Sequence, residues 1–440
     1  AAPPAWRNRI KNAKAPRRQG ASGKRGDGCL APIPFSMSYG IALRAWFPCS
    51  RAMRTLTILA LVPLLAVTVA GCARAQPPAK VKKDYDRPLA PGAPALVEVD
   101  INTLPDVSFA PGERAAVRTA LAQSQAFLEK KSAEAWFPRE KFSKDDVRRS
   151  VAALDSLLAS PGSDADFNQA VKAGFRAFMS VGCDDQGTVL FTGYYTPIFN
   201  GSRTPDATYR YPLYRLPADL VKGANSYTPS QRKLADGTLV PYPAAAEIES
   251  SGMLKGEELV WLADPYECYL IRVQGSGKIR LPDGKLLEVG YAGTNGLTYH
   301  GIGQDLVADG VIAKDKLSFF SMREYFRQNP AKVADYTGRN PRFIFFKEVA
   351  GGPYGCIGAR VTADVSIATD KELFPPAGPV WVVTSTTDKP KYVGLRVDQD
   401  RGGAIRAPGR CDLYMGEDEA NEKRAGGQYA EGKLYYLIAK

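Results

Sequence analysis

The sequence predicts a mainly β protein with some α-helix gathered near the front of its folded part, divided into two domains. Three observations predict it. Helical periodicity is concentrated in residues 111–179; from Cys183 onward the chain is a series of short β-branched or aromatic runs broken by Gly, Pro and Asp-Gly; and residues 97–440 are many for one core.

Residues 111–130 read as a first helix. Residues 143–160 read as a second, because Ser143 and Asp146 stand at capping-box spacing while Val147, Val151, Leu154 and Leu157 step by three or four. Residues 164–179 read as a third, with Phe167, Val171, Phe175 and Phe178 on one face. These stripes are core-facing sides. Strands are expected at 188–196, 209–215, 258–261, 269–274, 278–281, 286–291, 342–347, 380–385, 392–397 and 434–439, with hairpin turns at Asp236-Gly237 and Asp283-Gly284. A short helix is expected to start at Ser321, with Glu324 at capping-box distance, and to end before Pro330. No period of 20 to 50 residues shows, which excludes a solenoid or propeller.

The front of the chain reads differently. Residues 1–71 hold eleven Arg or Lys against the single acid Asp27, so nearly all of the formal charge of +12 sits there and supports no nucleic-acid reading. Met53-Arg54, the apolar run 56–69 and the small residues before Cys72 follow the order of a secretory signal peptide, and that run falls short of the roughly 20 helical residues that span a bilayer. Val69-Ala70-Gly71-Cys72 resembles a bacterial lipobox, which makes Cys72 the expected acylated residue; a plain secreted protein or an uncleaved anchor is the alternative. Residues 1–52 are then an upstream leader without a fold, 53–71 the signal peptide, and 72–96, rich in Pro, Ala and Lys, a tether. Ala73 after the cysteine suggests the periplasmic face of the outer membrane, by analogy with lipoprotein sorting.

Cys183, Cys268, Cys356 and Cys411 are an even set in an oxidising compartment, open between disulfides and buried thiols; no C-x-x-C spacing points to metal. His300 is the only histidine. Ser-His-Asp, Cys-His and H-E-x-x-H chemistry all need an imidazole in a designed place, and His300, in a turn-like setting, is expected to be structural. Catalysis must run on carboxylates, tyrosines or lysines.

The stretch 398–416 is the most informative. Read as a strand, it alternates Cys411, Leu413 and Met415 against Arg410, Asp412 and Tyr414, so that one face enters a core while an acid lines the other. Asp400 before Gly402-Gly403 fits a sharp turn whose N–H groups keep a carboxylate ionised; Asp412 has no such partner, which suits a raised pKa and an acid role. A solvated strand edge with ordinary charges is the alternative.

This stretch is similar to the C-terminal signature of the membrane-bound lytic murein transglycosylase A family, in its three-aspartate domain. Further blocks resemble that family in order: Phe191-Thr192-Gly193-Tyr194-Tyr195-Thr196-Pro197, Tyr211-Pro212-Leu213-Tyr214-Arg215, the run ending Gln274-Gly275-Ser276-Gly277, Gly290 to Gly296, Asn340-Pro341 and Asp370 with Phe374-Pro375-Pro376. Arg406-Ala407-Pro408, and one extra residue between Asp400 and Asp412, depart from the pattern. The resemblance implies a double-psi β-barrel catalytic domain (97–198 and 338–440) carrying an inserted second β domain (199–337), with a groove between them. It implies a peptidoglycan lytic exotransglycosylase that cuts the β-1,4 bond from N-acetylmuramic acid to N-acetylglucosamine and leaves 1,6-anhydromuramic ends. Asp412 is the implied acid and then base, Asp400 and Asp370 its supports, and Thr192, Tyr194, Tyr195, Gln274, Gly275, Ser276 and Asn295 the substrate contacts. No metal or other cofactor is expected. The implied partners are the glycan strands, the outer membrane through the lipid anchor and a cell-wall synthesis complex. An inverting glycosidase using Asp400 as base beside Asp412, or a wall-binding lipoprotein without chemistry, is the competing reading.

Overall fold

The computed structural model describes residues 83–224 and 228–440. Cys72, the signal-peptide reading and most of the tether lie outside the described residues.

Strands β1 (Leu96–Val99), β2 (Phe175–Ser180) and β3 (Val189–Thr196) frame helices α1 (Glu113–Leu128), α2 (Lys144–Ala159) and α3 (Asp164–Gly174). The capping box expected at the second helix is present, with Ser143 and Asp146 satisfying each other's backbone N–H groups. The third helix is shorter than its stripe suggests. It stops at Gly174, and Phe175 and Phe178 belong to β2, which pairs with β1 and with the last strand of the chain. A strand with partners on both edges outweighs the local helical period.

The second sheet starts one residue after β3. It comprises β4 (Ile198–Ser202), β5 (Tyr211–Tyr214), β9 (Glu258–Leu262), β10 (Ser276–Arg280), β11 (Leu286–Thr294) and β12 (Ile344–Val349), in the order β12-β11-β10-β4-β9-β5. Beside it, β6 (Leu220–Val221), β7 (Gln231–Lys233) and β8 (Leu239–Pro241) form a small sheet. Both Asp-Gly pairs turn hairpins, between β7 and β8 and between β10 and β11. Helices α4 (Ala245–Ser251), α5 (Pro265–Gln274), α6 (Ile302–Ala308), α7 (Phe319–Gln328) and α8 (Val333–Thr337) complete this part.

Three expectations are corrected here. Residues 269–274 are the end of α5 and not a strand: Asp264 caps it, Pro265 occupies its first turn, and Gly275 ends it at φ 75°, where a side chain would be strained. The α7 cap is Ser318 with Ser321, three residues ahead of the Ser321–Glu324 pair. The domain boundary at 338 falls too early, because β12 is hydrogen-bonded to β11 along Glu288–Thr294 and so belongs to the second sheet.

The chain then returns through β13 (Ser366–Ala368), β14 (Pro379–Thr386), β15 (Lys389–Asp400), β16 (Arg410–Glu417), α9 (Asp418–Gly427) and β17 (Tyr429–Ala439). The sheet order β17-β14-β15-β13-β16-β3, together with a second pairing of β17 to β3, closes six strands into a barrel. Two of its pairs, β13 with β15 and β16 with β3, are parallel. Phe178, Phe191, Val382, Leu413 and Tyr436 share one apolar cluster; α1 to α3 pack over Trp381, Leu395, Val397 and Leu437 in another. A third core holds the second sheet to α5–α8, around Tyr266, Ile271, Ile279, Phe326 and Phe346. The four cysteines of the described part are free thiols. Among the described residues no helix is long and apolar enough to cross a membrane, and no His, Cys, Asp and Glu cluster is arranged to hold a metal ion.

Candidate active site

Barrel closure places four residues from distant parts of the chain in one row. β13 lies between β15 and β16, and Ala368 is opposite both Asp400 and Asp412; Asp412 is in turn opposite Thr192 of β3. The row Asp400–Ala368–Asp412–Thr192 lines a cleft of about 1750 Å³ whose other wall includes Gln274, Gly275, Ser276 and Gly290 of the second sheet and its helices. Ala368 leaves room between the two acids, whose backbones stand about 10 Å apart, two strand spacings.

The environments of these acids differ. Asp412 accepts a hydrogen bond from the Thr192 hydroxyl. Burial raises its pKa above the usual carboxylate range, while Arg410, two residues back on the same strand face, and the Thr192 hydroxyl act in the opposite direction. Arg410 is itself held by Asp86 at 3.2 Å, and its charge is shared accordingly. Asp400 Oδ1 accepts the N–H groups of Cys356 at 2.9 Å and Arg401 at 2.8 Å, and the Tyr194 hydroxyl adjoins the same carboxyl. The expectation that turn N–H groups keep Asp400 ionised is corrected: it does accept backbone N–H bonds, but burial is the larger effect and raises its pKa.

Strand alternation sorts the remaining expected site residues. On β3, Thr192 and Tyr194 line the cleft; Tyr195 does not, and sits 2 % exposed in the apolar cluster behind the strand, near Arg323 and Glu422. Neighbouring strand residues face opposite sides, so Tyr194 and Tyr195 cannot share one wall. The same alternation puts Gly193 against α9, where a Cβ would come within 2.8 Å of the Ala425 Cα. Gln274 lines the cleft and its Oε1 faces the Tyr195 N–H at 3.4 Å, tying α5 to β3. Asn295 is fully buried. Its Nδ2 donates to the carbonyls of Pro243 and Pro341, and its Oδ1 accepts the Phe343 and Leu297 N–H groups, so its amide clasps loops and does not face a ligand. Asp370 is buried outside the cleft lining and accepts the Glu372 N–H at 3.0 Å. His300 lines the cleft with its Nε2 2.8 Å from Asp305 Oδ2.

The structure adds cleft residues that the sequence reading passed over: Tyr291, Tyr299, Arg342, Lys347, Cys356 and Arg401. For Arg401 the signal was adjacency to Asp400; Tyr291 and Lys347 depend on pairing between distant strands, and Tyr299, Arg342 and Cys356 sit in loops brought to the cleft by the fold. The Cys356 thiol, raised to about 12 by burial, stays protonated.

Known proteins share this fold. The MltA specific insert domain matches residues 190–347, and the 3D domain matches residues 365–438. The membrane-bound lytic murein transglycosylase from Agrobacterium tumefaciens superposes with a TM-score of 0.66 at 22 % identity, over 78 % of this chain and 98 % of that one. Escherichia coli MltA with bound chitohexaose superposes at 0.59 and 23 % identity, over 81 % and 96 %. At these identities the likeness speaks to the fold. In sequence, the membrane-bound lytic murein transglycosylase A of Vibrio cholerae is 29 % identical over 273 residues, 60 % of this chain and 69 % of that protein. Its counterpart in E. coli K12 is 30 % identical over 294 residues, 65 % of this chain and 74 % of that protein. With the insert and 3D domains matched in order, and that identity sustained across most of a relative's length, the chain belongs to the membrane-bound lytic murein transglycosylase A family.

Proposed function

We propose that the enzyme is a lytic transglycosylase that cleaves the β-1,4 bond between N-acetylmuramic acid and N-acetylglucosamine in peptidoglycan, with Asp412 as acid and then base. The observation that carries the assignment is the Asp412 carboxyl, whose pKa burial raises, opposite Thr192 in the cleft between the barrel and the second sheet. Family membership supports the reaction class, and the relative holding chitohexaose supports a glycan in the cleft.

Protonated Asp412 donates to the leaving glycosidic oxygen. The resulting carboxylate takes the proton of the muramyl C6 hydroxyl as that oxygen closes onto C1, giving the 1,6-anhydro ring without water. Because nucleophile and electrophile belong to one sugar, placement replaces a second catalytic carboxylate. Asp400 is a poor general base: two N–H groups bond its Oδ1, the Tyr194 hydroxyl adjoins it, and burial disfavours its charge. Its role is to shape and polarise the site beside Asp412, while Asp370 supports the turn after β13. Thr192, Tyr194, Gln274, Gly275 and Ser276 position the glycan. The barrel portion, 97–198 with the chain after β12, carries the acid, and the insert carries the far wall. Acylated Cys72 attaches the enzyme to the outer membrane, facing the periplasm and the wall-synthesis machinery.

Mass spectrometry of muropeptides released by residues 73–440, beside the Asp412→Asn protein, tests the reaction. Products about 18 Da, one water, below the hydrolytic mass and lost on substitution are expected. Reducing-end products would instead assign the inverting two-carboxylate mechanism, whose pair is ~6.5–9.5 Å apart.

A further inference from the structure

The cleft is electropositive. Among the described residues lining it, seven are Arg or Lys and four are Asp, and burial disfavours the charge on two of those four, Asp400 and Asp412. Asp86 and Arg410 offset each other, and Arg272 is engaged by Glu249 at 2.6 Å, so the excess rests on Lys314, Arg342, Lys347, Arg401 and Arg406 against Asp315. The glycan chain of peptidoglycan is uncharged at its sugar rings, so this excess serves another part of the polymer.

Sheet register shows where it is concentrated. Ser276 of β10 is opposite Gly290 of β11, and Gly290 is opposite Lys347 of β12, so the three form one row on the cleft face of the second sheet. Gly290 contributes no side chain and the Val349 side chain packs over it, so Ser276 and Lys347 stand about 10 Å apart, two strand spacings, with a small apolar surface between them. Lys347 is exposed, and no described carboxylate pairs with it: Glu348 is engaged by Arg203 at 2.6 Å, and Glu288 by the Gly352 N–H and Lys278. Arg342 and Arg401 line the same cleft and both act electrostatically on Tyr291, the residue after Gly290.

We propose that Lys347, with Arg342 and Arg401 beside Tyr291, is a subsite for the carboxylates of the stem peptides, so that the enzyme prefers peptide-bearing strands to bare glycan. The inference rests on the glycan-cleaving function above and adds the part of the substrate that sets specificity. A carboxylate could come from a stem peptide or, on a stripped strand, from the lactyl group on the sugar itself. The lactyl carboxylate stays close to the ring, whereas each stem residue adds up to ~3.6 Å of reach, which suits a lysine about two strand spacings from the Ser276 side of the cleft.

The test compares kcat/KM on intact strands and on amidase-stripped strands, which carry free lactyl carboxylates, for the parent enzyme, Lys347→Gln and Lys347→Arg. Binding of a neutral N-acetylglucosamine hexamer is the uncharged control. The intact-to-stripped ratio is expected to fall about tenfold in K347Q, the scale of one charge-assisted hydrogen bond. It should recover in K347R, and the parent's preference should shrink at high salt. Equal losses on intact and stripped strands would overturn the stem assignment, and so would an unchanged ratio or a parallel loss of hexamer binding. A parent enzyme that releases no anhydromuramic product from either substrate would sink the functional reading itself, an outcome distinguishable because it precedes any substitution.

Discussion

Replacing Lys371 by Met should be among the most costly single changes in the barrel. Lys371 and Asp398 are both 0 % exposed, with Nζ 2.6 Å from Oδ1. Thr369 Oγ1 also accepts from Nζ at 2.9 Å, while Asp398 Oδ2 accepts the hydroxyls of Tyr436 at 2.7 Å and Thr369 at 2.8 Å. Removing the cation leaves a buried carboxylate with two neutral donors, a loss of about 3–5 kcal/mol. Lys371→Met with Asp398→Leu should recover to within about 2 kcal/mol of the parent, because an apolar pair replaces the ionic one and the Tyr436 and Thr369 hydroxyls, 3.3 Å apart, can bond each other. Burial already raises the Asp398 carboxyl, and Lys371 is the largest influence lowering it. Without Lys371 the folded-state pKa moves further above the unfolded value of about 3.9. Stability associated with such a group is fully present below the unfolded pKa and lost as pH rises through the folded one, so K371M should regain at pH 4 part of what it loses at pH 7. Urea unfolding of the four proteins of the cycle at both pH values measures this. A single-mutant loss below about 1 kcal/mol, a double-mutant loss equal to the sum of the singles, or a pH-independent difference would refute the reasoning.

Asp412→Asn should abolish anhydromuramic product while making the folded protein more stable at pH 7. That gain should vanish below about pH 4, where the native carboxyl is neutral in both states; paired muropeptide analysis and thermal unfolding follow the two effects. Thr192→Val removes a hydroxyl that favours the ionised form of Asp412, so the alkaline limb of kcat/KM should move to higher pH, measurable on strands of fixed composition. Asn295→Ala should cost about 2–4 kcal/mol through orphaned backbone groups and leave KM of the remaining folded enzyme unchanged, opposite to what a glycan contact would do.

What was legible in the chain was local. Ser143 and Asp146 announce their helix because a capping box is complete within four residues, and the two Asp-Gly hairpins are equally self-contained. The end of α5 was misread because Tyr269, Ile271 and Val273 suit a strand; the cap at Asp264, the proline after it and Gly275 at the far end were the better guide. Alternation along 410–416 correctly separated Asp412 from the core, and the same rule applied to β3 would have removed Tyr195 from the cleft. Asn295 illustrates the harder case, since a polar residue in a loop-like run reads the same whether its amide meets a ligand or two other segments. The row from Asp400 to Thr192 was out of reach of local pattern, because it depends on β13, three residues long, slipping between two strands.

Closure of the barrel has a consequence for how the enzyme comes into being. The row draws on chain positions from 192 to 412, and β3 reaches both of its barrel neighbours only when β17, at residues 429–439, has docked along it. A chain in which β17 has yet to dock therefore contains Asp412 without the closed barrel that buries it and raises its pKa, and has no means of cutting the wall. Competence arrives with β17, and a nick that frees this strand would silence the acid without touching it.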